Sequence, residues 1–164
     1  MSELKIHLLS SSVKAKIDDW KQRYPAEQQR SAVMSALRFA QEENNNWLSQ
    51  DLIEAVADYL SMPRIAAVEI ATFYTMYNLQ PVGRHLVEVC TSISCMLSGC
   101  DKIVDHIQQK YNVEVDGTSA DNKITLRRVE CLASCTSAPM MQIGKKYYEN
   151  LSPEKVNSIL DELE

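Results

Sequence analysis

VEVCTSISCMLSG (residues 87–99) and RRVECLASCTSAPMMQI (residues 127–143) decide how this chain is read. Each opens on a short strand-like run and delivers two cysteines, Cys90 and Cys95 in the first and Cys131 and Cys135 in the second. Two strand-end loops carrying two thiols apiece can converge on one metal centre, whereas a single strand or helix cannot aim all four inward. Spacing leaves the metal open. Structural zinc uses pairs such as C-x2–4-C, and both C-x4-C and C-x3-C fall in that range. Iron–sulfur clusters are also held by four thiolates, at more varied spacings. Unliganded core thiols are the third reading.

Outward from these loops, the chain of 164 residues is long enough for one ordinary domain or two small ones, and its 45% apolar content suits a packed globular protein. No run of about 18 apolar residues is present, so a membrane span is not expected. The first 25 residues lack a secretory apolar core and a small-residue cleavage site. They contain acids and a single arginine, unlike a mitochondrial transit peptide. The expectation is a cytoplasmic, prokaryotic location. Five cysteines without an export signal favour metal or free thiols over a disulfide framework. A net charge of −5 lacks the basic footprint of a nucleic-acid binder.

The pattern before Pro81 is helical. Residues 1–11 read as a loose lead-in. Val13, Ile17 and Trp20 then form one apolar stripe. A second helix is expected over about 27–43 and a third over about 50–60, with Ser49 as N-cap and Leu52, Val56 and Tyr59 inside. A fourth starts at Pro63 and runs to about Phe73, with Val68, Ala71 and Thr72 on its inner side. Trp20, Trp47 and the Phe73, Tyr74, Tyr77 group read as core, as aromatic stripes at helical spacing usually do. The character changes at Pro81-Val82-Gly83, which places the expected boundary between a helical bundle at 1–80 and an α/β domain at 81–164.

In the second half, 84–90 and 123–130 read as strands. Cys95 is expected to open a helix over about 96–111 with Leu97, Val104 and Ile107 as its apolar face, where the helix dipole would favour a thiolate. Cys100 on that helix should point away from the site. Met140–Ile143 and Lys146–Glu149 read as a hairpin around Gly144-Lys145. Ser152-Pro153 starts a closing helix. Strand, helix, strand, strand, helix suits helices packed on a small mixed sheet, and a thioredoxin-like arrangement satisfies it. Neither cysteine pair has the C-x-x-C spacing of thiol–disulfide exchange. His85 reads as a hydrogen-bonded group rather than a ligand.

These residues resemble the small 2Fe–2S subunit of the NADH dehydrogenase module of respiratory complex I (NADH-quinone oxidoreductase). The resemblance is carried by Ala71-Thr72-Phe73-Tyr74-Thr75-Met76-Tyr77-Asn78, Pro81-Val82-Gly83, Val89-Cys90 with Cys95, Glu130-Cys131-Leu132, Cys135, Ala138-Pro139, Tyr147-Tyr148-Glu149 and Leu151-Ser152-Pro153-Glu154-Lys155. It covers roughly residues 24–163.

The resemblance implies an α+β chain, with an N-terminal helical bundle followed by a thioredoxin-like ferredoxin domain. It implies one 2Fe-2S cluster with Cys90 and Cys95 on one iron and Cys131 and Cys135 on the other, and no catalytic residue or NADH or quinone site of its own. The implied partners are the FMN- and NADH-binding flavoprotein subunit and other complex I subunits, on the cytoplasmic face of the inner membrane. The equivalent subunit of a NAD-linked hydrogenase or formate dehydrogenase is the nearest alternative, and a structural zinc module the alternative of another class.

Two departures stand out. Ala133 replaces the family's usual Gly, which would carry a strain if that position needs positive φ. Asn46 replaces another, which is milder because Asn tolerates left-handed backbone. Loop amides and the hydroxyls of Thr91, Ser92, Ser94, Ser134 and Thr136 are candidate donors to sulfur, with loop solubility as their plain reading. Arg127 and Arg128 alternate to opposite sheet faces, and neither is assigned a role. Docking to the flavoprotein is the expected use of the apolar and aromatic residues at 65–79.

Overall fold

A computed structural model describes residues 4–164, which form two compact units dividing between Pro81 and Val82.

The first unit packs four helices: α1 (Ser11–Lys21), α2 (Val33–Glu43), α3 (Gln50–Tyr59) and α4 (Arg64–Phe73). Ser10 and Ser49 cap α1 and α3 by accepting from the N–H groups of Val13 and Leu52. The apolar stripes bury Val13, Ile17, Leu37, Ile53, Val56, Ala67 and Ala71 in one core. On α3, Ile53, Ala55, Val56 and Ala57 are fully inside while Leu52 and Tyr59 lie at the margin. On α4, Ala67 and Ala71 face inward and Thr72 faces out, spending its hydroxyl on the Val68 carbonyl. Residues 26–32 wind as a 3-10 helix before α2 rather than as its first turns.

The described part of the lead-in is not loose. Ile6–Leu8 forms a 3-10 turn and Leu9 is buried. The Lys5 N–H donates to Asp58 at 2.7 Å, and its Nζ meets Asp51 at 2.6 Å and Glu54 at 2.8 Å. Arg64 clasps Asp58 through Nε at 2.9 Å and Nη2 at 2.7 Å, and reaches Glu54 at 3.0 Å. This arginine, with burial working against it, holds Asp58 below the usual carboxylate range. The partners of Lys5 lie 46 to 53 residues away, so local pattern could not show them.

The aromatic group after α4 splits. Tyr77 is buried and donates its hydroxyl to the Met34 carbonyl at 2.7 Å. Asn78 is pinned by Gln41, which accepts from its N–H at 2.7 Å. Phe73 is 77% exposed and Tyr74 40% exposed, contrary to the core expectation. Phe73 ends α4 on the side away from the buried Ala67 and Ala71, and Tyr74 is extended, beyond the reach of helical spacing.

The second unit has a four-stranded sheet in the order β2-β1-β3-β4, from β1 (His85–Cys90), β2 (Ile124–Val129), β3 (Met141–Ile143) and β4 (Lys146–Tyr148). β1 and β2 are parallel, with His85 opposite Ile124 and Cys90 opposite Val129. β3 pairs antiparallel with both β1 and β4. A parallel pair needs a crossover. Here it contains α5 (Ile93–Leu97) and α6 (Cys100–Tyr111), and α7 (Pro153–Asp161) closes the unit, capped by Ser152. Val87, Val89, Leu126, Met141, Val104, Ile107, Val156 and Leu160 form its core. Gly83 passes so close to β2 that a Cβ would sit 3.0 Å from the Ile124 carbonyl carbon. His85 Nε2 lies 2.8 Å from the Glu164 backbone oxygen.

One expected helix is two. Gly99, at φ 89°, breaks it after α5, and α6 begins afresh at Cys100. Leu97, expected on the apolar face, is 80% exposed because it belongs to the separate short helix. Among the described residues no helix is long and apolar enough to cross a membrane.

Candidate metal centre

Parallel pairing of β1 and β2 places the two cysteine loops at one end of the sheet. Cys90 is the last residue of β1 and stands opposite Val129, the last residue of β2, with Cys131 two positions beyond.

The first pair is built into the core. Cys90 is 3% exposed and Cys95, on α5, 2%. The Cys90 N–H donates to the Met140 carbonyl at 3.1 Å, and its thiol donates to the Glu130 carbonyl at 2.9 Å. The next residue, Thr91, donates both its N–H and its hydroxyl to the Val129 carbonyl, at 2.8 and 3.1 Å. The first loop is thus tied to the root of the second. Burial, and then a hydrogen bond with Cys90, push the Cys95 thiol up to about 11, against the pull of the Met140 backbone N–H. A metal entering here must therefore displace protons from sulfur.

Cys100 is fully buried in the same core as Cys90 and Cys95, and burial raises its thiol.

Cys131 and Cys135 are exposed. The Ala133 N–H donates to Cys131 Sγ at 3.3 Å, a donor aimed at sulfur of the kind that stabilises a thiolate. Ala133 has φ 60°, so the position does require left-handed backbone, and Asn46 has φ 62°. Cys135 begins a 3-10 turn that ends at Ser137. Ser134 donates its hydroxyl to Glu149. Two of the candidate hydroxyl donors, on Thr91 and Ser134, are therefore spent on protein oxygen. Arg128 bonds Asp101 at 2.6 Å, and Arg127 lies 4.0 Å from Asp116.

All five thiols are free. The structure buries Cys90, Cys95 and Cys100 in one core and leaves Cys131 and Cys135 exposed on their own loop beyond β2. Among the described residues, no group of three or more His, Cys, Asp or Glu side chains is already set to hold an ion. The donor set still suits an iron–sulfur group: soft sulfurs, amide N–H groups directed at two of them, and two supporting loops at the ends of paired strands. Sequence reading missed the Met140 amide, the full burial of Cys100 and the Ser134–Glu149 bond, because each depends on contacts between segments.

Residues 17–164 match the family described as Thioredoxin-like [2Fe-2S] ferredoxin. The E subunit of NADH-quinone oxidoreductase from Rickettsia bellii (strain RML369-C) is 43% identical over 146 residues, which is 89% of this chain and 87% of that protein. The protein of the same name from Rickettsia conorii (strain ATCC VR-613 / Malish 7) is 44% identical over 142 residues, 87% of this chain and 85% of its own length. A crystal structure of NAD+-reducing [NiFe]-hydrogenase in the air-oxidized state aligns over 80% of this chain with a TM-score of 0.69 and 14% identity. The aligned region is 22% of that hydrogenase chain, and the likeness is one of fold.

Proposed function

We infer, from a chain that belongs to the Thioredoxin-like [2Fe-2S] ferredoxin family, that it is the one-electron carrier subunit of an NADH-quinone oxidoreductase, with one 2Fe-2S cluster. The cluster, when bound, takes up and releases single electrons. The observation that supports this most is the register of β1 against β2, which sets Cys90 and Cys131 at one end of adjacent strands.

Cys90 and Cys95 from the first loop and Cys131 and Cys135 from the second would hold the cluster. Met140 and Ala133 direct backbone N–H groups at Cys95 and Cys131, placing donors at two of the four sulfurs. The core around Cys90 and Cys95 keeps water from that half of the site, and sulfur hydrogen bonding with solvent access sets a cluster's potential. Cys100 is not a ligand.

The partner is the FMN- and NADH-binding flavoprotein subunit, on the cytoplasmic face of the inner membrane. Ile65, Phe73, Tyr74, Met76 and Leu79 are all exposed at the end of the first unit, an apolar surface of the kind that marks protein interfaces. Phe73→Asp should abolish capture of the flavoprotein in a pull-down without altering the chain's melting, because the ring is already outside the core. Unchanged capture would remove this patch from the interface.

The test of the function is the absorption and EPR spectra of anaerobically reconstituted full-length chain, before and after dithionite, with iron, zinc and sulfide assayed. A brown protein with iron and sulfide in equal amounts and an S = 1/2 signal on reduction is expected. A colourless protein that retains zinc after reconstitution with iron and sulfide would overturn the reading.

A further inference from the structure

We propose that Glu149 is a positioning residue for the loop that carries Cys131 and Cys135, holding it through Ser134, and that its carboxylate lowers the reduction potential of the group those cysteines bind. The proposal rests on the assignment of Cys131 and Cys135 as ligands made above.

The loop is anchored at its root by the Cys90–Glu130 bond and packs Leu132 and Ala138 on the core, but the stretch that carries the cysteines has little regular structure. Between the end of β2 and Met140 its only regular structure is the 3-10 turn Cys135–Ser137, and Cys131, Ala133 and Cys135 are exposed. Ala133 sits at φ 60°, a conformation an alanine does not favour. Something outside the loop must select this shape.

That support comes from the junction between β4 and α7. Ser134, the residue before Cys135, donates its hydroxyl to the Glu149 carboxylate. The Asn150 N–H donates to the Ser137 carbonyl at 2.8 Å, and the Leu151 N–H to the Pro139 carbonyl at 2.9 Å. Lys155, from the first turns of α7, donates its Nζ to the Glu149 backbone oxygen at 2.5 Å. Glu149 itself follows Tyr148, which is paired with Met141 in the sheet. Three successive residues, 149 to 151, thus staple the loop to a strand end and a capped helix.

Two of these ties are backbone bonds that any side chains would allow. The Ser134–Glu149 bond is the tie from this junction that runs side chain to side chain, and it joins residues 15 apart in sequence. It also fixes an anionic carboxylate beside the residue that precedes Cys135. A negative charge held there opposes the arrival of an electron on the sulfur-bound group.

The experiment uses the full-length chain reconstituted with iron and sulfide, comparing wild type with Ser134→Ala, Glu149→Ala, the double variant and Glu149→Gln. Readouts are iron release to a chelator, the midpoint potential from an EPR redox titration, and melting by circular dichroism. Ser134→Ala and Glu149→Ala should each release iron about tenfold faster, the factor that follows from losing a hydrogen bond to a charged group. The double variant should be no faster than either single one, since both remove the same bond. Glu149→Gln keeps an acceptor for Ser134 and should retain slow iron release with a raised midpoint potential. If Glu149→Ala does not fold, the potential of Glu149→Gln decides. Wild-type release in both alanine variants, multiplied effects in the double variant, or an unmoved potential in Glu149→Gln would each overturn the proposal. A wild-type chain that acquires no cluster would instead overturn the function itself.

Discussion

The two cysteine pairs look alike in sequence and differ in the structure. Cys90 and Cys95 are 3% and 2% exposed, set on a central strand and a short helix whose neighbours are core residues. Cys131 and Cys135 are exposed, on a loop shaped by ties to another segment. The first pair therefore lies inside the core, whereas the second sits on a loop that Leu132 and Ala138 pack against that core and that hydrogen bonds from residues 149–151 tie down. Sites held by strands and helices are more precise than sites held by loops, and loops open at lower free-energy cost. The difference teaches that the first pair is fixed by the sheet and its core, and that the second depends on ties from another segment of the chain.

The largest effect should be one that ignores this asymmetry. Serine at any one of Cys90, Cys95, Cys131 or Cys135 should abolish the 2Fe-2S absorption and EPR signal of the reconstituted chain, whereas Cys100→Ala should keep both. A Cys131→Ser chain with an unaltered signal would break the ligand assignment.

The asymmetry should reappear in stability. In the metal-free chain, Cys95→Ser puts a hydroxyl into a dry core and should cost about 1–3 kcal/mol. Cys135→Ser should stay within about 0.5 kcal/mol of wild type, as exposed substitutions do. Urea melts followed by circular dichroism measure both, and equal losses would erase the distinction between the pairs.

Ala133→Gly sharpens the comparison within the exposed loop. Left-handed backbone costs an ordinary L-residue roughly 1–2 kcal/mol, partly offset by glycine's own entropy, so the substitution should stabilise by about 0.5–1 kcal/mol. Asn46→Gly in the first unit should change stability by only a few tenths of a kcal/mol, because Asn already tolerates its φ. The same melts decide.

The smallest effect lies outside both pairs and serves as a control. Arg64 holds the Asp58 carboxyl below its ordinary range, so this carboxylate's contribution is full above the unfolded value and is lost as pH falls through the lower folded value. Thermal melts should therefore show a decline on acidification below about pH 4 that is shallower in Asp58→Asn. An identical decline in both chains would place the acid sensitivity elsewhere.

Much of this was legible because local physics is written locally. Ser10, Ser49 and Ser152 cap helices through their own side chains. Alternating and branched residues mark β1 and β2, and Gly144 turns the hairpin between β3 and β4 at φ 60°. What was misread depended on breaks and on distant partners. Gly99 divides an apparently continuous helix and turns Leu97 outward. Phe73 falls on the outer side of the last turn of α4 and Tyr74 lies beyond it, which leaves both rings on the surface. Lys5 finds its carboxylates on α3, beyond any local window.

By itself the sequence determined which residue types could serve as ligands, their spacing, the two-part plan of helices and then mixed sheet, and the positions where left-handed backbone would matter. These follow from side-chain chemistry and from periodicities that need no distant neighbour. Only the tertiary structure decided that one thiol pair is sealed in the core and the other exposed, that Cys100 joins the buried group, and that Glu149 holds the second loop. Burial and cross-chain hydrogen bonds are properties of which segments meet, and that is settled only when the β1–β2 register and the β4–α7 junction are in place.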